Sequence, residues 1–236
     1  MPPNVLVVYK KNFEEVHDKA LAAVRDALDE LVRDRGTSIS YKARETVSRE
    51  DFVGRDPVII LGGDGTLTSI AHSIDSDTPV MGVNSHPQDD DEDGSYGFYM
   101  GSDTKHFAED ARSALDGTGI VNVLPRLQAE IVTTSGKTVL SDPALNDLII
   151  ANTHQYQPSI YRLERGADGD HGNIDTVQRS SGCLFSTFLG QGAWFRHVVN
   201  IEGATSSMDA VNERYLFASR DRSEERRVGK ECRSRW

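Results

Sequence analysis

Apolar positions follow two different rhythms along this chain. Over the first hundred residues, short unbroken apolar runs alternate with stretches in which apolar side chains recur every three or four residues. Val5–Tyr9, Ile39–Lys42, Pro57–Leu61 and Pro79–Asn84 have the length and β-branched content expected of buried strands. Between the first two, Val16, Leu21, Val24, Leu28, Leu31 and Val32 share one face of a helix predicted over Phe13–Arg35, with Gly36 as its stop. Leu67–Ile74 and Thr104–Leu115 read as further helices. Strands and helices alternating in this way pack as a parallel sheet with helices on its faces, an α/β arrangement.

From about Asn122 the rhythm changes. Leu127–Thr133, Thr138–Leu140, Leu145–Ala151, Ile160–Glu164 and Gly182–Thr187 are β-like runs separated by turns such as Ser135-Gly136 and Ala167-Asp168-Gly169. The expectation is an α/β domain over residues 1–118, then a mostly β domain over 119–221, with the active site between them. Residues Arg222–Trp236 break the composition of what precedes them and resemble a translated sequencing adapter. This tail, with Cys232 in it, is expected to be foreign to the fold, and the β domain to be cut short at its C-terminal end.

Charge narrows the partners. The chain carries −11 at pH 7; the tail, with six Arg/Lys and three Asp/Glu, contributes +3, which leaves −14 for the rest. An acidic surface repels nucleic-acid backbones and anionic membranes, so neither is expected as a partner. Lys is scarce and Asp abundant, the balance of proteins from salt-rich cytosols. The apolar runs are too short to cross a bilayer, and the N-terminus has no secretion-signal pattern, which predicts a cytoplasmic protein. Two cysteines are too few for a disulfide framework, and Cys183, beside Leu184 and Phe185, is expected in the core. Asp89-Asp90-Asp91-Glu92-Asp93 lacks the spacing of a calcium loop and reads as a solvated insertion, and the histidines show no paired metal spacing, which leaves them surface or structural roles.

The candidate chemistry begins where the third strand ends. Gly62-Gly63-Asp64-Gly65-Thr66 sits between a strand and a helix, where open parallel sheets bind ligands and where glycines let the backbone approach an anion. It is neither a Walker loop nor a GxGxxG turn. Taken alone, it serves equally as a plain turn with Asp64 capping the helix. The flanking segments tilt the reading. Leu61–Leu67 resembles the GGDGT signature of NAD kinases, of diacylglycerol and sphingosine kinases and, more distantly, of phosphofructokinases. Pro79–Asn84 followed by Gly97-Phe98 looks like the GVNxGxLGF of NAD kinases, Ala144-Leu145-Asn146-Asp147 like their ALND, and Ser181–Thr187 with Gly190 like their DGxxxSTPTGSTAY. By these four motifs, in order, the chain resembles the NAD kinase family.

That resemblance implies a Rossmann-like α/β domain followed by a β-rich sandwich domain, working as a homo-oligomer. It implies transfer of the γ-phosphoryl group of ATP, or of polyphosphate, to the 2′-hydroxyl of the adenosine ribose of NAD, giving NADP, with Mg²⁺ arriving on the nucleotide. Asp64 becomes the candidate base and Gly62, Gly63, Gly65 and Thr66 the phosphate contacts. Asn84, Phe98, Asn146, Asp147, Ser186, Thr187 and Trp194 become candidate contacts to NAD. By themselves Asn146-Asp147 can be a turn, and Trp194 a core residue. The fourth motif departs from the family pattern: Leu189 and Gly192 replace hydroxyl residues, Gln191 replaces a third, and Trp194 stands for tyrosine. A lipid kinase sharing GGDGT, and a non-catalytic nucleotide-binding protein, are the competing readings.

Overall fold

The opening apolar run becomes β1 (Asn4–Tyr9), and it lies inside a sheet rather than at its edge. In this computed structural model, which describes residues 3–11, 15–33, 35–88, 92–154, 156–162, 177–199 and 215–220, β1 pairs on one side with β2 (Ser38–Ala43) and on the other with β3 (Val58–Gly62). β4 (Val80–Asn84) and the two-residue β5 (Ser102–Asp103) extend the sheet in the order β2-β1-β3-β4-β5, every pair parallel. Strands buried on both faces need apolar side chains at every position, which is why Val5–Val8 and Val58–Leu61 are unbroken apolar runs.

Each face has its own cover. On one side Val5, Val7, Ile59, Leu61 and Val83 pack with Ala20, Val24 and Leu28 of α1 (Glu15–Val32), and with Phe107 and Ala111. On the other, Leu6, Val8, Val58 and Ile60 are buried, as are Phe52 of α2 (Arg49–Phe52) and Leu67 and Ile70 of α3 (Asp64–Ile70). Phe107 and Ala111 belong to α4 (Phe107–Leu115), which packs on α1. Full burial of each Val, Leu, Ile or Phe contributes about 1.5–3 kcal/mol, so this two-sided core fixes the sheet whose carboxyl edge carries the site.

The chain divides into two compact units, Met1–Val123 and Leu124–Trp236. The second is built of short antiparallel pairings. β6 (Glu130–Val132) and β7 (Thr138–Leu140) form a hairpin whose turn needs Gly136 at φ +80°. β8 (Asp147–Ile150) pairs with β11 (Gly182–Thr187), which pairs with β12 (Tyr215–Arg220); β9 (Ser159–Tyr161) pairs with β10 (Gln178–Ser180). Trp194–Val199 forms α5.

The sequence pattern and the structure differ at element ends. α3 starts at Asp64, three residues before the predicted Leu67, because Gly63 adopts the extended conformation of a cap, and after Ile70 it tightens into a 3₁₀ turn over Ala71–Ser73. α4 starts at Phe107, not Thr104. Within the run Leu127–Thr133 only Glu130–Val132 is strand, and Leu127 makes an isolated bridge to Ala144. The predicted helix start at Phe13, Asp89–Asp91 of the acidic run, the turn at Ala167–Gly169 and the tail Arg222–Trp236 lie outside the described residues.

Candidate functional site

The turn after β3 is built so that only glycine fits twice. A Cβ on Gly62 would lie 2.2 Å from the Thr66 hydroxyl oxygen, and one on Gly63 would lie 2.5 Å from that of Ser95. The Thr66 N–H donates to the Gly63 carbonyl at 2.8 Å, closing the first turn of α3 around Asp64. Asn84, at the end of β4 and level with Gly62 across the ladder, braces the facing loop: its amide donates to the Ser95 carbonyl at 3.0 Å and its oxygen accepts the His86 N–H at 3.2 Å. Gly97, at φ +72°, turns this loop back, and the Asn84 amide leaves no room for a Cβ there.

The carboxylate of Asp64 is clasped by the same loop. Its Oδ2 accepts the N–H of Phe98 at 3.0 Å and its Oδ1 accepts that of Tyr99 at 2.8 Å. Each oxygen keeps a lone pair for a further donor. The Phe98 ring is 57% exposed and stands edge-on to Tyr99, with ring centres 5.0 Å apart. Asp64, Gly62, Gly63, Gly65, Thr66, Asn84 and Phe98 are therefore brought together within the first unit.

Beside this turn lies a cavity of about 340 Å³, whose lining includes Gly63, Gly65, Thr66, Asn84, Lys10 and Arg44. Lys10 follows β1, Arg44 follows β2, Gly63 follows β3 and Ser85 follows β4. The wall is thus assembled from the carboxyl ends of four adjacent parallel strands, where open α/β sheets bind ligands. Two cations and glycine backbone facing one cavity suit an anion of phosphate type. Lys10 and Arg44 were missed in the sequence, although their place just beyond predicted strands was a usable signal. His17, expected to be an ordinary structural or surface histidine, is buried at this wall. Among the described residues no group of three His, Cys, Asp or Glu side chains converges as a metal site.

The second unit gathers another set. Asp147 and Ser186 lie opposite each other in the β8–β11 ladder. The Thr187 hydroxyl donates to the Leu145 carbonyl at 2.8 Å and accepts the Gly190 N–H at 3.0 Å, while the Ser186 hydroxyl donates to the Asn146 carbonyl at 3.2 Å. Gly190 packs directly on Asn146, whose carbonyl oxygen would be 2.5 Å from a Cβ. Burial raises the pKa of the Asp147 carboxyl, a rise that the neighbouring Ser186 hydroxyl opposes, and its Oδ1 is buried with no hydrogen-bond partner among the described residues. Burial also pushes the Cys183 thiol up to about 12, so it stays protonated as a core residue. Trp194 opens α5 and is 43% exposed.

Residues 7–117 match the family model of the ATP-NAD kinase N-terminal domain. Over this stretch, just under half of its length, the chain is similar to ATP-NAD kinases. The matched stretch holds all of the Gly62–Thr66 turn, the loop that clasps Asp64 and the cationic cavity. Among similar proteins, an NAD kinase of Halorhodospira halophila is 31% identical over 156 residues, 64% of this chain and 46% of that protein. An NAD kinase of Citrifermentans bemidjiense is 30% identical over 191 residues, 75% of this chain and 62% of that one. In fold, the chain resembles the crystal structure of an Archaeoglobus fulgidus NAD kinase in complex with ATP, with a TM-score of 0.54, 16% identity and coverage of 83% of this chain and 65% of that one. Against yeast NADH kinase complexed with NADH the TM-score is 0.52 at 15% identity. The chain spans roughly half to two thirds of the length of these similar proteins.

Proposed function

We propose that this protein transfers the γ-phosphoryl group of ATP, or the terminal phosphoryl of polyphosphate, to the 2′-hydroxyl of the adenosine ribose of NAD, giving NADP. The observation that carries this reading is the Asp64 turn itself: a carboxylate held by the Phe98 and Tyr99 N–H groups, flanked by Gly63 and Gly65 on the wall of a cavity that also presents Lys10 and Arg44.

Phosphoryl transfer runs through a loose transition state, so the protein's work is alignment and neutralisation of charge. Lys10, Arg44, the backbone N–H groups of Gly63 and Gly65 and the Thr66 hydroxyl hold the phosphates. Mg²⁺ enters as part of the nucleotide, bound by phosphate oxygens and water. The ribose hydroxyl donates to the open lone pair of Asp64. As its oxygen bonds to the γ-phosphorus, the bond to the bridging oxygen breaks, ADP leaves, and Asp64 takes the hydroxyl proton. Asn146 and Asp147 bind the adenosine, the unpartnered Oδ1 of Asp147 being an acceptor that a ribose or base donor would satisfy. Ser186, Thr187 and Trp194 are the second unit's further proposed contacts to NAD. In this reading the partners are NAD and ATP, with no nucleic acid or membrane, and the protein works in the cytoplasm as a homo-oligomer, as the family implies.

The test is purified protein incubated with ATP, Mg²⁺ and NAD, with NADP read out by an NADP-dependent dehydrogenase. NADP formation that falls by roughly 10²–10⁴ on Asp64→Asn, with the fold retained, is the expected result. NAD binding without turnover in the unaltered chain makes it a nucleotide-binding protein instead, an outcome toward which Leu189 and Gly192, in place of hydroxyl residues, would point.

A further inference from the structure

We infer that His17 is a positioning residue, which acts through Lys10 to aim an ammonium group into the phosphate cavity; the inference rests on the phosphoryl-transfer reading above. His17 sits in the first turns of α1, 6% exposed, with one ring nitrogen on each of two partners. Nε2 lies 3.3 Å from Lys10 Nζ and Nδ1 lies 2.7 Å from Ser85 Oγ. An ammonium group has hydrogens to give and no lone pair to offer, so Nε2 accepts. The proton therefore resides on Nδ1 and is donated to the Ser85 hydroxyl, which fixes the tautomer from the geometry of both contacts.

Ser85 is itself anchored. It is buried, and its N–H donates to the carbonyl of Gly62 at 3.0 Å, on the strand that ends in the candidate catalytic turn. The chain of contacts runs from Gly62 through Ser85 and His17 to Lys10. A lysine side chain ordinarily samples many rotamers, and holding it in one removes part of the ordering cost of binding an anion. The cavity's other charged groups are Arg44 and Asp93, and His86 meets the His17 ring edge-on with centres 6.1 Å apart. Arg44 is held instead by the adjacent, exposed Glu45, whose Oε1 accepts from its Nε at 3.2 Å and from its Nη2 at 2.8 Å, so Lys10 is the cation whose aim is set from the buried side of the cavity.

The experiment uses the full chain and titrates sodium tripolyphosphate by calorimetry, with the melting temperature of each variant recorded. Lys10→Met is expected to weaken binding about tenfold or more, as loss of a charge-assisted contact does. His17→Ala should weaken it about five- to tenfold, whereas His17→Gln, whose oxygen can accept from Lys10 while its amide donates to Ser85, should stay within about twofold. In the Lys10→Met background His17→Ala should cost nothing further, which a merely structural histidine would not show. Where His17→Ala fails to fold, His17→Phe keeps the ring volume and loses both hydrogen bonds, and is read in the same way. Unchanged binding in His17→Ala or His17→Phe, or an equal loss in the Lys10→Met background, overturns the inference. If the unaltered chain binds neither tripolyphosphate nor ATP with Mg²⁺, the phosphoryl-transfer reading itself fails and this one with it.

Discussion

Gly62 and Gly65 stand three residues apart in one motif, yet the structure gives them opposite jobs. Gly62 has no room for a methyl group because Thr66 occupies the space, so Gly62→Ala should destabilise the fold by about 1–3 kcal/mol through overpacking. Nothing lies within 4 Å of a Cβ built on Gly65, which is already helical and borders the cavity. Gly65→Ala should keep or slightly raise the melting temperature, since alanine favours helix, while on the proposed phosphoryl-transfer reading the added methyl should weaken ATP binding severalfold. Thermal melts and nucleotide titrations of the two variants separate the roles. A second prediction concerns Asp147, whose carboxyl has its pKa raised by burial. A raised folded-state pKa means that the protonated form is favoured by folding; that contribution is present at acid pH and is lost as pH rises from about 4 through the raised value. Asp147→Asn should therefore match the native chain near pH 4 and melt higher at pH 7. Half-burial and solvent screening keep the gain small.

At the scale of elements, the α1–α4 pair shows which contacts hold the first unit. Leu28 is fully buried between α1 and the sheet, and Leu28→Ala should cost about 2–5 kcal/mol, measured by urea unfolding. Arg35 and Asp116 form an ion pair between the segments that follow α1 and α4, but it is exposed, so Arg35→Ala should leave the unfolding midpoint within error. The elements best foreseen in the sequence were those buried on both faces or strongly amphipathic: β1 and β3 declare themselves because water is excluded from them, and α1 because its buried apolar positions recur at helical spacing. In the second unit β7 and β11 fall on the expected runs, Thr138–Leu140 and Gly182–Thr187, while the other strands were harder to delimit. Ile131, Val132, Val139 and Leu140 are all exposed in the β6–β7 hairpin, and Ile149, Ile150 and Ile160 are exposed in β8 and β9, so no alternation of inside and outside marked those strands. β10, with its Gln178-Arg179-Ser180, carries no apolar signal at all. The site divides along similar lines. Gly62–Thr66 was visible as a motif because glycine and aspartate are demanded by backbone geometry there. Lys10, His17 and Arg44 belong to no local pattern, and only the strand order β2-β1-β3-β4 brings them to one cavity.

The whole molecule carries −11 at neutral pH, with 37 Asp and Glu against 26 Lys and Arg. Repulsion among carboxylates opposes the compact state and is screened by salt, with a Debye length near 10 Å at 0.1 M and about 3 Å at 1 M. The melting temperature should rise as sodium chloride is increased from about 0.05 to 1 M, and a flat or falling response by differential scanning calorimetry would show that surface charge is already balanced by local pairing. Strand order has a further consequence, one for biosynthesis. β1 is an interior strand, between a neighbour complete by Ala43 and another complete only at Gly62. A nascent chain emerging from the ribosome can close β1, α1 and β2 into a unit, but the other edge of β1 stays unpaired until β3 follows, about 1–4 s later at translation rates of roughly 5–20 residues per second. During that interval Leu6–Val8 presents an apolar strand edge to every other nascent chain nearby, and slower decoding between Arg44 and Pro57 would lengthen the exposure without changing a single residue of the finished protein.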